Sequence, residues 1–265
     1  MLKQFIVVLC VCFASALGLV YVFQRHLMYS PLKTRPTLID YQATDLLEVT
    51  LSTQDNLSLL SWYRPAQARQ PSVLILHGNA GHIGGRMPLA RQFIQSGFGV
   101  FLLEYRGYGG NPGSPTETGL YDDARTAMHF LQKQGIPLNQ IVVYGESLGT
   151  AVATQVATEY PVGCVVLQSP LTSMSSLARL HYPWLPIKPI DKYDSLSRIT
   201  QVHAPLLVLH GKDDTLVPFD EGKTLFLKAN EPKTFIAIDN KGHSDLWGQA
   251  FYMSVVDFIK TTCVK

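Results

Sequence analysis

Gln140-Ile141-Val142-Val143-Tyr144-Gly145-Glu146-Ser147-Leu148-Gly149-Thr150 is the stretch from which the chain is read. Its first half is apolar and β-branched without alternation, the pattern of a strand buried on both faces of a parallel sheet. Its second half, Gly-Glu-Ser-Leu-Gly, leads into small residues (Ala151, Val152, Ala153, Thr154) that suit a helix packed closely on its neighbours. Gly-x-Ser-x-Gly between a strand and a helix predicts a sharp turn with Ser147 at its apex, its hydroxyl thrust out of the fold. Side chains at the two glycine positions would collide with the neighbouring strand or helix. The N-terminus of the following helix adds a positive field for negative charge forming at the serine.

Outward from that turn, strands and helices alternate. Residues 46–53 and 57–64 read as a hairpin around Gln54-Asp55-Asn56, and residues 72–77 as the first buried parallel strand. Glycine-rich residues 78–85 follow, then a helix over 88–96 with Pro88 in its first turn. Residues 99–104 form the next strand, 105–112 a loop, and 116–134 a helix capped by Thr116 or Thr118. Beyond the Ser147 turn and its helix, to residue 160, strands are expected at 163–168, 204–210 and 233–239. Helices are expected at 219–229 and 245–261. This rhythm predicts a single domain, a doubly wound and mostly parallel sheet with right-handed crossovers, whose ligands bind at the carboxyl ends of the strands. Residues 171–200 break the rhythm. Their Pro183, Trp184, Leu185, Pro186, Ile187, Pro189 and Ile190 read as a stiffened small cap over the serine.

The amino-terminal run from Phe5 to Phe23 carries no charge. As a helix it would span roughly 28 Å, about the thickness of a hydrocarbon core. Ala14-Ser15-Ala16 resembles a signal-peptidase site, but the apolar run continues to Phe23 where a released chain would turn polar. The reading favoured is an uncleaved anchor over residues 1–24, with the folded domain over 25–265; cleavage would make the protein secreted. Lys3 on one side and Arg25, Lys33 and Arg35 on the other give the positive-inside rule no clear direction. Residues 24–44, with Pro31 and Pro36, read as an extended connector.

The 265 residues carry a formal net charge of +2 and no basic stripe, which argues against a nucleic-acid partner. Cys10, Cys12, Cys164 and Cys263 form no C-x-x-C pair, so neither zinc nor a redox dithiol is indicated, and unpaired thiols are expected. No H-E-x-x-H or G-x-x-x-x-G-K-[ST] is present, and no cofactor or metal is called for.

A serine hydroxyl needs a base within hydrogen-bond reach, itself oriented by a carboxylate. Downstream of Ser147, His243 is the histidine that follows a strand in a turn, Asn240-Lys241-Gly242-His243-Ser244. His210, ending a strand before Gly211, reads as structural. Asp213 and Asp214, at the end of the preceding parallel strand, are both candidates for the carboxylate on local grounds. One oxyanion donor is expected from the backbone N–H of Leu148, next after the nucleophile. Glu146 reads as solvated or ion-paired, and Arg106 as a structural ion pair in preference to a contact for an anionic substrate.

Gly-Glu-Ser-Leu-Gly (145–149), His-Gly-Lys-Asp-Asp-Thr-Leu-Val-Pro (210–218) and Lys-Gly-His (241–243) together resemble the α/β-hydrolase superfamily. His77-Gly78-Asn79-Ala80-Gly81, Tyr105-Arg106-Gly107-Tyr108-Gly109 and the helix exit Gln24-Arg25-His26-Leu27-Met28-Tyr29-Ser30-Pro31 narrow the likeness to its membrane-anchored BEM46-like branch. The resemblance implies an α/β-hydrolase fold with an N-terminal transmembrane helix. It puts the acid on Asp214, hence a triad Ser147–Asp214–His243, and the second oxyanion donor at Asn79. The activity implied is serine hydrolysis of an acyl ester or thioester, with a small-molecule or lipid-like acyl substrate. An amidase or peptidase with the same triad, and a non-catalytic scaffold, are the competing readings. Ser147 itself excludes dehalogenase chemistry, which needs a carboxylate at that turn.

Overall fold

The computed structural model describes residues 1–263. The chain begins with α1 (Leu2–Met28), most of whose apolar side chains are exposed, while Met28 packs against the core. It then lays down β1 (Ser30–Pro31) and the hairpin β2 (Leu47–Ser52) and β3 (Ser58–Arg64). There follow β4 (Ser72–Leu76), the short β5 (Ala80–Gly81), α2 (Met87–Gln95) and β6 (Gly99–Leu103). Next come α3 (Glu117–Lys133), β7 (Ile141–Glu146), α4 (Leu148–Glu159) and β8 (Cys164–Gln168). The insertion contributes α5 (Met174–His181) and α6 (Ser195–Arg198). The chain ends with β9 (Leu206–Gly211), α7 (Phe219–Lys228), β10 (Lys233–Ile238) and α8 (Gln249–Phe258), which runs into a π-helical turn, Ile259–Cys263.

Eight strands form one sheet in the order β10-β9-β8-β7-β4-β6-β3-β2, parallel except for the pairings of β3 with β2 and β6. The chain moves outward from β4 through β6 in one direction, and from β7 through β8, β9 and β10 in the other. The topological switch therefore lies between β4 and β7, the place where open α/β sheets bind ligands. Side chains of β7 alternate between two cores: Ile141 and Val143 join α3, α4 and α7 on one face, Val142 and Tyr144 join α2 and α8 on the other. Both faces being covered is why the strand reads as a continuous apolar run. Of the two candidate caps for α3, Thr116 serves, its Oγ1 accepting from Gly119 N–H at 2.9 Å.

Three local expectations are corrected. The last helix starts at Gln249 in place of residue 245, because Asp245 turns back to accept from Gly242 N–H at 2.7 Å. The connector after residue 24 is still helical to Met28, and β1 then pairs in parallel with β5. Cys164 and Cys263 are joined in a disulfide, closing a separation of 99 residues, where unpaired thiols were expected. Cys10 and Cys12, on α1, are free.

Arg106 is a structural ion pair. Its guanidinium donates to Asp123 from Nε at 2.9 Å and from Nη2 at 2.8 Å, and its own N–H reaches the same carboxylate at 2.9 Å. Both side chains are buried, Asp123 fully. The half-exposed Asp55 accepts from the same guanidinium, at 2.8 Å from Nη1 and 3.3 Å from Nη2. Removing Asp123 leaves the buried Arg106 with that outer partner alone, so Asp123→Ala is expected to cost about 3 kcal/mol of stability, the lower end for a broken buried pair, read from the shift of the urea midpoint.

Candidate active site

β7 ends at Glu146, and Ser147 occupies the turn with φ 51° and ψ −118°. A non-glycine residue there is held in a sparsely populated conformation, costing of order 1–3 kcal/mol unless its surroundings fix it. They do. Ser147 N–H donates to Gln168 O on β8 at 2.9 Å, and its carbonyl accepts from Thr150 N–H at 2.9 Å and Thr150 Oγ1 at 2.5 Å. The tightness explains the glycines: a Cβ at Gly149 would sit 2.1 Å from Leu76 O, and one at Gly145 would sit 2.6 Å from Gly149 O.

The other two groups arrive from β9 and β10, whose parallel pairing brings their carboxyl ends side by side. The loops beyond are joined by Asp213 N–H donating to Lys241 O at 2.9 Å and Lys212 N–H donating to Ile238 O at 3.0 Å. Asp213 points to solvent, whereas Asp214 is buried. Asp214 Oδ1 accepts from Leu216 N–H at 3.0 Å and Val217 N–H at 2.8 Å. Its Oδ2 lies 2.7 Å from His243 Nδ1, and His243 Nε2 lies 2.9 Å from Ser147 Oγ. With the ring proton on Nδ1, donated to Asp214, Nε2 is free to accept the serine proton. Three residues distant in sequence thus form one hydrogen-bonded line.

His210, expected to be structural in its turn, stands beside Asp214. Fully buried, its Nε2–H donates to Val217 O at 2.8 Å and stands 3.4 Å from Asp214 Oδ2. Burial pushes the Asp214 carboxyl up, but the neighbouring His210 and His243 rings and the Val217 N–H outweigh it. The net result is an acid held well below the usual carboxylate range. A depressed acid stabilises the fold above the unfolded-state value of roughly 3.9 and loses that contribution as pH falls toward its folded value, so Asp214 stays ionised through the neutral range.

Asn79 follows β4, and Leu148 opens α4, on opposite sides of the switch between β4 and β7. Gly78 fills the gap: a Cβ there would meet Ser147 Cβ at 3.3 Å. Among the described residues, neither the Asn79 nor the Leu148 N–H has a protein acceptor. Two unpaired donors beside a serine hydroxyl are the arrangement that can receive an oxyanion. Glu146 is ion-paired with Arg86, at 2.9 Å from Nε and 3.1 Å from Nη2, while Arg86 Nη1 donates to Ala80 O at 3.0 Å. That fork ties the loop carrying Asn79 to the serine turn, and the intervening 60 residues hid it from the sequence.

The insertion is fastened beside the acid loop. Glu221, in the first turn of α7, accepts from Thr172 N–H at 2.7 Å, from Thr172 Oγ1 at 2.5 Å and from Ser176 Oγ at 2.6 Å. His181, ending α5, donates to Leu216 O at 2.8 Å. A cleft of about 550 Å³ lies at the far end of the insertion, lined by Glu117, Arg125, Lys192 and Arg198; none of the five candidate residues reaches it. Among the described residues no group of three or more His, Cys, Asp or Glu side chains is disposed to hold a metal ion.

Residues 67–188 match the profile of the protein family described as serine aminopeptidase, S33. An uncharacterised Mycobacterium tuberculosis protein is 40% identical over 225 residues, covering 82% of this chain and 80% of its own. Protein bem46 of Schizosaccharomyces pombe is 30% identical over 92% of this chain and 88% of its own. The zebrafish (Danio rerio) lysophosphatidylserine lipase ABHD12 is 33% identical over 65% of this chain and 51% of its own. Among solved structures, the Pyrococcus furiosus esterase Pf2001 superposes with a TM-score of 0.73 at 21% identity, covering 88% of this chain and 99% of that one.

Proposed function

The chain belongs to the BEM46-like branch of the α/β-hydrolase superfamily, and from that premise we propose that it cleaves acyl esters or thioesters through a covalent serine ester. The observation that carries the reading is the hydrogen-bonded line from Ser147 Oγ through His243 to Asp214. His243 takes the serine proton as Ser147 Oγ attacks the acyl carbonyl, and Asp214 steadies the imidazolium. The N–H groups of Asn79 and Leu148 receive the oxyanion, each worth about 3 kcal/mol in the transition state. His243 then passes the proton to the leaving alcohol or thiol, and water deprotonated by the same ring releases the acid.

α1 supports a membrane anchor. Its 27 residues span roughly 40 Å, and Leu19, Val22 and Phe23, which cleavage after Ala16 would leave on the product, are at least half exposed. Recovery of the full chain in the membrane pellet after alkaline carbonate extraction is the expected result. A soluble product starting near residue 17 would establish a cleaved leader instead.

Hydrolysis rates on acyl esters of graded chain length test the substrate class, with a preference for apolar acyl groups expected. Faster turnover of aminoacyl or peptide substrates than of any ester would overturn the ester reading. It would favour the amidase or peptidase reading to which the matched family's description points.

A further inference from the structure

The exit of α1 is built into the loop that carries Asn79. Tyr29 follows the last helical residue, and the residues flanking it grip Asn79 from both sides. Asn79 Nδ2 donates to Met28 O at 2.9 Å, and Ser30 N–H donates to Asn79 O at 3.0 Å. The Tyr108 hydroxyl donates to the same carbonyl at 2.8 Å. Beyond this bracket, Ser30 and Pro31 run in parallel register with Ala80 and Gly81.

The buried Tyr29 phenol points the other way, into the insertion. It donates to Asp191 Oδ2 at 3.0 Å and accepts from the Tyr193 hydroxyl at 2.7 Å. Arg25 forks the same carboxylate at 2.8 and 3.0 Å, and Ile190 N–H donates to Gln24 Oε1 at 2.7 Å. A tether alone needs none of these bonds. Here one residue joins the membrane helix, the insertion and the backbone of the residue beside the nucleophile.

We propose that Tyr29 is a positioning residue: held by Asp191 and Tyr193, it fixes through Met28 and Ser30 the place of the Asn79 N–H above Ser147. The proposal rests on the reading of Asn79 as an oxyanion donor. A displacement of about 1 Å at such a donor can cost on the order of 10²-fold in rate, so a loosened bracket has a visible effect without loss of the fold.

The test uses the full chain in detergent micelles, carrying Tyr29→Phe, Asp191→Asn or Tyr193→Phe. Active sites are counted with a fluorophosphonate, and kcat, KM and the affinity for a trifluoromethyl ketone, which forms a tetrahedral oxyanion on the serine, are measured. The expected result is a fall in kcat of roughly 10-fold, within the range a misplaced group produces. Trifluoromethyl ketone affinity should drop in step, with KM nearly unchanged. Variants that merely melt earlier, with kcat per active site and ketone affinity unaltered, would overturn the proposal. If Tyr29→Phe does not accumulate, Tyr193→Phe breaks one of the two phenol contacts and reads the same coupling. A wild-type chain that neither labels nor binds the ketone would sink the serine-hydrolase reading itself, a result distinct from a failure of the bracket.

Discussion

Ser147→Ala is expected to lose activity by about 10⁶-fold, the scale seen when a serine nucleophile is removed, and to abolish fluorophosphonate labelling while the fold persists. Ser147→Gly separates chemistry from strain. Both variants lack the hydroxyl, but the residue sits at φ 51°, which alanine tolerates no better than serine and glycine adopts freely. The glycine variant should therefore be the more stable of the two by about 1 kcal/mol, the lower end of the cost of such a conformation. Differential scanning calorimetry on the pair measures it. Equal melting temperatures would mean that the turn stores no strain; undiminished labelling of the alanine variant would mean that Ser147 is not the nucleophile.

Asp214→Asn is the second large effect. The carboxylate accepts from two backbone N–H groups on Oδ1 and faces two imidazoles on Oδ2. An amide can keep the backbone pair, with its oxygen at the Oδ1 position. Its NH₂ then faces His243 Nδ1, which must become the acceptor, and the proton moves to Nε2, where it blocks uptake of the serine proton. The loss expected is about 10⁴-fold in kcat from this tautomer reversal alone. His210 enters the same balance, since its Nε2 stands 3.4 Å from the position the NH₂ group would take. Retention of more than a tenth of wild-type kcat would show that the acid lies elsewhere. Asp213, solvent-facing and used through its backbone, is the control and should tolerate Asn with little change.

Residues whose chemistry is written locally were legible in the sequence. A buried strand, a glycine-flanked serine and a small-residue helix are one continuous stretch, and both glycines prove to face backbone at short range. The strand rhythm was legible because a parallel sheet covered on both faces leaves uninterrupted apolar runs, and β4, β6, β7, β8 and β9 all show them. Asp214 over Asp213, and Asn79, came from family likeness, because adjacent acids and a backbone donor carry no local signature. The contacts that hold the site in place were illegible. Arg86 with Glu146, Arg25 with Asp191 and Cys164 with Cys263 join residues 60, 166 and 99 positions apart. Each is a single pairing without periodicity, so nothing in the order of residues announces it.

With α1 as a membrane anchor, the bridge between Cys164 and Cys263 also bears on which side of the bilayer the domain would face. Its covalent loop encloses both Asp214 and His243, and closing a loop of that length is worth on the order of 4 kcal/mol against the unfolded chain. Cytosolic thiol reductants keep such pairs open, whereas secretory and periplasmic spaces let them persist. For a chain anchored by α1, a topology with the amino terminus in the cytosol and the folded domain outside is thus the expected one, argued from sulfur chemistry where the flanking charges gave no direction. Acid-quenching the cells, blocking free thiols with N-ethylmaleimide under denaturing conditions, then reducing and labelling with a mass-tagged maleimide reads the state of the bridge. Cys164 and Cys263 should carry two tags that appear only after reduction, and a domain whose two cysteines are both blocked before reduction would lie on the opposite face.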